Sequence, residues 1–293
     1  MFSINKFAKL FVIIMIALQV LAAQSWDMRI HQTAGPVDRI AVDEIVDITF
    51  QDGTSGKEIV IEISIAPDYV AATSGIDSIT FQETGTVTDI DGNTYKTVKI
   101  GDQWWMAENL RVTQYRDGTS IPYVTNSDGW NDQNDNETGA YCAYDDTPGN
   151  VDPYGYLYNW FAVNGDIDGD DDKDKEIAPA GWHVPTDDEW EALKDYLTIN
   201  GHSGTEGTAL KSTSGWILDR NGTDDYGFNG IPAGYRIDNG PFYDEQWSAY
   251  FWTATEYDRI RAYCRRLRYN NNEIGRFSTF GKEYGYSIRC IRD

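Results

Sequence analysis

The distribution of tryptophan constrains this chain more than any other feature, since nine of its ten Trp residues lie at or after Trp104. From Thr86 onward Trp, Tyr and Phe are interleaved with Gly and with Asn-Asp pairs, and no apolar run is long. Short apolar runs broken by turn formers cannot sustain long helices or a regular sheet, so residues 86–293 are expected to form one irregular domain rich in loops. The 10 Trp, 19 Tyr and 11 Phe also argue against disorder, because a chain this rich in rings buries enough apolar surface to offset its ordering entropy. A length of 293 residues allows one large or two modest domains.

Ahead of that domain the texture differs. Met1 to Lys9 carries Lys6 and Lys9 with no acid, Leu10 to Val20 is almost wholly apolar, and Ala22-Ala23 follows. That layout predicts a cleaved secretory signal over residues 1–23, with Gln19 and the polar Gln24-Ser25 ending the run before it reaches membrane-spanning length. Residues 26–66 read as a small β-module. Met28, Ile30, Ile40, Val42, Ile45, Ile48 and Phe50 punctuate a hairpin turned at Ala34-Gly35-Pro36, and Ile59, Ile61, Ile63 and Ile65 alternate along a further strand. Residues 67–85 weaken into Ser, Thr, Gly and Asp and are expected to be a linker.

Charge narrows the choice of partners. With 24 Lys and Arg against 47 Asp and Glu the formal charge is -23, which repels a nucleic-acid backbone over most of the surface. His31, His183 and His202 are scattered, and neither a His-Glu-x-x-His nor a paired Cys-x-x-Cys spacing occurs, so zinc chemistry is not expected. No Gly-x-Ser-x-Gly elbow or phosphate-binding glycine loop is present, and carboxylates are too abundant to single out a glycosidase pair. Export would make Cys142, Cys264 and Cys290 candidates for one disulfide and one leftover thiol, with three connectivities open. Cys264 with Cys290 is favoured, because Ala262 to Tyr269 and Tyr284 to Ile291 both read as strands that could lie side by side.

Local signals place a few elements. Asp91-Gly92-Asn93 predicts a hairpin turn. Thr186 followed by Glu189 predicts a capping box opening a helix whose Trp190, Leu193 and Leu197 share a face and which stops near Asn200-Gly201. Tyr156 to Val163 suits a second, shorter helix. The acidic run Asp166, Asp168, Asp170, Asp171, Asp172, Asp174 and Glu176 has the carboxylate density of a Ca²⁺ loop, although its glycine is misplaced for an EF-hand. Asp166, Asp168, Asp170, Asp172 and Asp174 are therefore candidate ligands, against the alternative of a solvated surface loop. No other cofactor is expected.

Five segments carry a family resemblance: Gly101 to Leu110 (GDQWWMAENL), Gly181 to Trp190 (GWHVPTDDEW), Gly227 to Arg236 (GFNGIPAGYR), Phe251 to Glu256 (FWTATE) and Gly285 to Asp293 (GYSIRCIRD). In order and spacing they resemble the Fibrobacter succinogenes major paralogous domain, over roughly residues 86 to 293. That family is similar to the C-type-lectin-like group that includes formylglycine-generating and sulfatase-modifying proteins, and Met28 to Phe50 resembles a short β-module of exported Bacteroidetes-type proteins. The resemblance implies an α+β fold: a C-type-lectin-like irregular domain with short strands and one or two helices behind the small β-module. Where family members commonly have Cys-Pro before Gly-Trp, this chain has Ala178-Pro179, so the usual partner of Cys290 is missing.

In C-type-lectin-like domains the segment between the helix and the last strands forms the variable ligand face. Here it carries Trp216, Tyr235, Arg236, Phe242, Tyr243, Trp247 and Tyr250. Flat rings beside Asp, Asn and Arg suit sugar recognition, and Tyr243 and Trp247, among Gly, Asp and Gln, are the rings expected to be most exposed. Trp216, Tyr235, Arg236, Tyr243, Trp247 and Tyr250 are the candidate ligand-binding residues. The arginine cluster Arg259, Arg261, Arg265, Arg266 and Arg268 would pair with acids internally or meet an anionic ligand. Related oxidases bind copper through two cysteines, and Arg259 stands where the first would lie ahead of Cys264.

The expected function is an exported, non-catalytic binding module of the periplasm, outer surface or extracellular space. Its partner would be a glycan or a surface protein, with no nucleic acid and no membrane contact beyond the transient signal. A degenerate sulfatase-modifying-type enzyme and a structural envelope component are the alternatives.

Overall fold

The computed structural model describes residues 25–32, 38–41, 45–53, 56–63, 69–72, 76–164 and 175–293. The chain divides into two compact units, with the boundary between Gly85 and Thr86.

In the first unit β1 (Ser25–Gln32) pairs antiparallel with β2 (Asp38–Ala41). A second, three-stranded sheet holds β3 (Ile45–Gly53), β4 (Gly56–Ile63) and β5 (Tyr69–Ala72). The register Ile48 with Ile61 and Phe50 with Ile59 follows the alternation of the sequence. Met28, Ile30, Ile40, Ile45, Ile48, Ile59 and Ile61 form one core, with Trp26 and Phe81 packed against it.

The linker expected over residues 67–85 is a correction. This stretch contains β5 and most of β6 (Ile76–Thr88), and β6 runs antiparallel to β1 with Phe81 opposite Met28. Its Ser and Thr were weighed as loop formers, but β-branched Thr on a pleated, half-buried surface is a strand former when a neighbour supplies the ladder.

The second unit begins at Thr86, in the last residues of β6. Asp89 accepts from the Asn93 backbone N–H at 2.9 Å, and Gly92, at φ +85°, closes the turn as the Asp-Gly signal predicts. The chain then enters β7 (Thr94–Ile100) and β8 (Gln103–Met106). A two-stranded pair follows, β9 (Tyr141–Cys142) with β10 (Leu157–Tyr158), and then β11 (Trp182–His183). Five further strands, β12 (Ala233–Arg236), β13 (Phe242–Glu245), β14 (Ser248–Asp258), β15 (Arg261–Arg268) and β16 (Asn271–Phe277), form a sheet in the order β13-β12-β14-β15-β16. The final strand, β17 (Ile291–Arg292), inserts between β11 and β8.

Helices are few and short. The helix Asp187–Leu197 opens on the expected capping box: Glu189 N–H donates to Thr186 Oγ1 at 3.2 Å, and Thr186 N–H donates to Glu189 Oε2 at 2.7 Å. It buries Trp190, Leu193 and Leu197 against Val98, Ile100 and Trp105 of β7 and β8 and Phe251 of β14, so it fills the space between the two sheets. Gly201, at φ +99°, marks the stop. The second expected helix is shorter than the segment Tyr156 to Val163. Leu157–Tyr158 is strand, and only Trp160–Asn164 is helical. The result is a mixed architecture of short strands and few short helices, consistent with an α+β or a mostly β class.

The disulfide between Cys264 and Cys290 is a second correction, for all three cysteines are free and buried. The segment Tyr284 to Ile291 does not lie beside β15. Cys264 stands opposite Trp252 on one side and Phe277 on the other, while Cys290 pairs with Met106, its carbonyl accepting from the Met106 N–H at 3.0 Å. Burial pushes the Cys142 thiol up to about 12 and the other two higher, so these thiols act as small core residues. The expected signal segment, residues 1–23, and the candidate Ca²⁺ ligands Asp166, Asp168, Asp170, Asp172 and Asp174 lie outside the described residues.

Candidate functional site

The motif residues of the five shared segments build the scaffold. Arg289 is fully buried and donates to Asn109 Oδ1 at 2.6 Å, to the Met106 carbonyl at 3.1 Å, to the Asn229 carbonyl at 2.8 Å and to the Phe228 carbonyl. One guanidinium thus joins three of the segments. Burial lowers its pKa to about 9, so it remains charged at neutral pH. Trp252 Nε1 donates to the Tyr158 carbonyl and Trp160 Nε1 to the Thr253 carbonyl, which fastens β14 to the β10 region. Arg265, also buried, bonds Asp187 Oδ1 at 2.5 Å and Glu191 Oε1 at 2.7 Å, and Arg276 takes the other Asp187 oxygen at 2.7 Å. Arg261 pairs with Asp258. Of the arginine cluster, Arg261 and Arg265 therefore take the internal role.

His183 lies between two acids, Glu189 at 2.9 Å and Asp293 at 2.7 Å. The Glu189 hydrogen bond, assisted by Asp293 and opposed by burial, raises its pKa to about 9 from the ordinary 6.5. The folded state therefore favours imidazolium, and this contribution is fully present below about pH 6.5 and lost as the pH rises through about 9. Burial pushes Glu189 up, but its bonds from His183 and Thr186 outweigh that and hold its carboxyl below the usual range. Glu189 therefore adds stability that is lost on acidification. His183→Gln is expected to cost about 1 kcal/mol at pH 6, discounted for solvent exposure, and almost nothing near pH 10. Urea midpoints at the two pH values measure this, and an equal loss at both would refute the charged clamp.

Elsewhere on the same unit, a cleft of about 640 Å³ opens between three walls: the end of the short helix Glu206–Leu210 with Thr208 and Lys211, the loop Leu218 to Asn221, and the β15–β16 turn with Tyr269, Asn270 and Asn272. The volume suits a small ligand, and a wall this polar suits a polyhydroxylated one better than an apolar one. Lys211 is only 2% exposed; its ammonium donates to the Arg268 and Asn271 carbonyls at 3.3 and 3.4 Å and lies 5.3 Å from the Trp216 ring centroid. Trp247, outside the lining itself, packs edge-on against Tyr269 of the lining, with ring centroids 4.8 Å apart. A backbone bond from Ile217 N–H to the Gln246 carbonyl at 2.9 Å ties the loop to the turn that carries Trp247.

The six candidate ligand-binding residues separate into different environments. Tyr243, 48% exposed, and Trp247, 39% exposed, are at the surface as expected. Trp216 (4%), Tyr250 (3%) and Arg236 (1%) are buried, which corrects their assignment to a ligand face. Trp216 Nε1 donates to Ser212 Oγ at 3.0 Å and the ring lies beside Lys211. Tyr250 stacks on Tyr286 at 4.9 Å. Arg236 donates to the Gly240 and Val124 carbonyls and lies 4.4 Å over the Trp130 ring. Half-buried Tyr235 lies 6.0 Å from Tyr243 and stacks on Tyr284 at 6.2 Å, a ladder of rings separate from the Trp247–Tyr269 pair. Burial and the neighbouring Tyr250 raise the Tyr235 phenol to about 12. In strands so rich in rings, filling the core takes most of them.

Sequence reasoning missed Lys211, Arg220, Asn221, Tyr269, Asn270 and Asn272. The run Tyr269-Asn270-Asn271-Asn272 at a strand turn was the available signal, whereas Lys211 gave none. Among the described residues, no group of three or more His, Cys, Asp or Glu is arranged to hold a metal ion, and no helix is long and apolar enough to cross a membrane.

An irregular domain of short strands and few helices, in which Arg289, Trp252, Trp160 and the Thr186–Glu189 capping box serve the scaffold, defines a structural class before it defines an activity. The chain belongs to the Fibrobacter succinogenes major domain family, whose model matches residues 98–292. No curated protein and no solved structure matches the chain.

Proposed function

We propose that the unit Thr86–Asp293 is a non-catalytic glycan-binding module of an exported protein, carried on a C-type-lectin-like scaffold. The observation that carries this reading is the polar cleft with half-buried Tyr269 in its lining and exposed Trp247 packed edge-on against that ring. Asn221, Asn270, Asn272 and Thr208 offer donors and acceptors for hydroxyls, and Trp247 on Tyr269 offers an apolar face for sugar C–H groups. The return of β17 between β8 and β11, which closes the domain and leaves long loops on the surface, supports the lectin-like scaffold. The apolar leader at residues 10–20 supports export.

Affinity electrophoresis of the whole protein through gels containing soluble neutral and acidic polysaccharides tests the reading. At least one polysaccharide is expected to retard the protein, and Trp247→Ala, with an unchanged circular dichroism spectrum and melting temperature, is expected to weaken that binding about tenfold or more, the loss expected for an aromatic anchor. Silence across the panel would refute glycan recognition. Binding lost in Tyr243→Ala but kept in Trp247→Ala would move the site to the Tyr243–Tyr235–Tyr284 ladder.

A further inference from the structure

The charges around the cleft run against the charge of the chain. In a protein of formal charge -23, Lys211 and Arg220 lie along one cleft, and neither is ion-paired to a carboxylate among the described residues. The only acid in the lining is Asp219. Several other buried or half-buried cations of this unit have found acids: Arg265 has two, Arg116 has Glu176 and Lys282 has Glu256. A lysine as deeply buried as Lys211 ordinarily requires pairing with an acid, yet among the described residues its ammonium has two long bonds to carbonyls and none to a carboxylate. Its neighbours make the deficit larger: burial and the positive charge of Arg220 both hold the Lys211 pKa below the ordinary value.

Resting on the glycan reading, we infer that the cleft selects a saccharide carrying a single carboxylate, a uronic-acid residue within an otherwise neutral glycan, whose carboxylate is taken by Lys211 and Arg220. Two unneutralised cations at one cleft are relieved together by one carboxylate, and the guanidinium offers it a two-pronged partner. The asparagines then receive the hydroxyls of the same sugar and its neighbour. A polyuronide is disfavoured, because every further carboxylate would lie over a surface of the same sign.

Cellobiouronic acid and cellobiose are nearly isosteric and differ in a carboxylate against a hydroxymethyl group, so titration calorimetry of the full chain with each isolates the charge. The acid is expected to bind at least tenfold more tightly than cellobiose and more tightly than trigalacturonate. Arg220→Gln, in an exposed loop where it cannot unfold the domain, and Lys211→Met, checked by its melting temperature, are each expected to cut that preference by most of its value. Trp247→Ala should weaken both sugars alike. Equal binding of the two sugars, or a preference that survives Arg220→Gln, would overturn the charge selection and leave the glycan reading intact. Tighter binding of trigalacturonate would overturn the restriction to one carboxylate. Absence of binding by all three sugars, with no polysaccharide retarding the protein, would overturn both.

Discussion

Arg289→Met is expected to remove about 3 to 5 kcal/mol of stability, enough to leave much of the protein unfolded if its total lies in the usual range. The substitution keeps volume and removes the cost of burying a charge. It also strands Asn109 Oδ1 and the carbonyls of Met106 and Phe228, which are buried away from replacement donors, and the half-buried Asn229 carbonyl. Each orphaned acceptor costs about 1 to 3 kcal/mol, so the loss exceeds the desolvation regained. Arg289→Lys should recover little, because a single ammonium cannot span acceptors arranged for a planar fork. Denaturant midpoints for the three proteins decide the matter, and a neutral Arg289→Met would mean that the segments hold together without this hub.

Asp187→Ala should be the next most damaging change, at about 3 kcal/mol. Asp187 is buried at the start of the central helix and holds Arg265 at 2.5 Å and Arg276 at 2.7 Å. Without it Arg265 keeps Glu191 and the Asp187 backbone carbonyl, so its charge is only partly compensated. The acid also favours the first helical turn through the macrodipole. In a double-mutant cycle Asp187→Ala with Arg265→Met should be less destabilised than the sum of the single changes by at least about 1 kcal/mol. Strict additivity would show that the pair is not coupled.

What could be read in advance depended on whether the signal was local. The Thr186–Glu189 box, the Asp-Gly turn and the alternation of Ile48, Ile59 and Ile61 are set by neighbours within a few residues, and all three are present. The pairing of cysteines depends on which strand lies beside β15, a long-range fact. There Phe277 took the place the sequence suggested for Cys290. Strand β6 was hidden for the same reason, since its Thr-rich stretch becomes a strand only because β1 lies alongside it. Beside the cleft, exposed Trp247 was legible from its polar surroundings. Lys211 was not, because nothing in Ala209-Leu210-Lys211-Ser212 reveals that the folded chain will bury a cation there.

The insertion of β17 between β8 and β11, together with the reach of Arg289 to Asn109 and Asn229, makes closure of the domain depend on one short segment, Arg289 to Arg292. Without it β8 and β11 lack a neighbour and the Met106 and Phe228 carbonyls lack a donor. Deleting residues 285–293 would therefore leave β8 and β11 without the strand they share and open the unit to proteolysis.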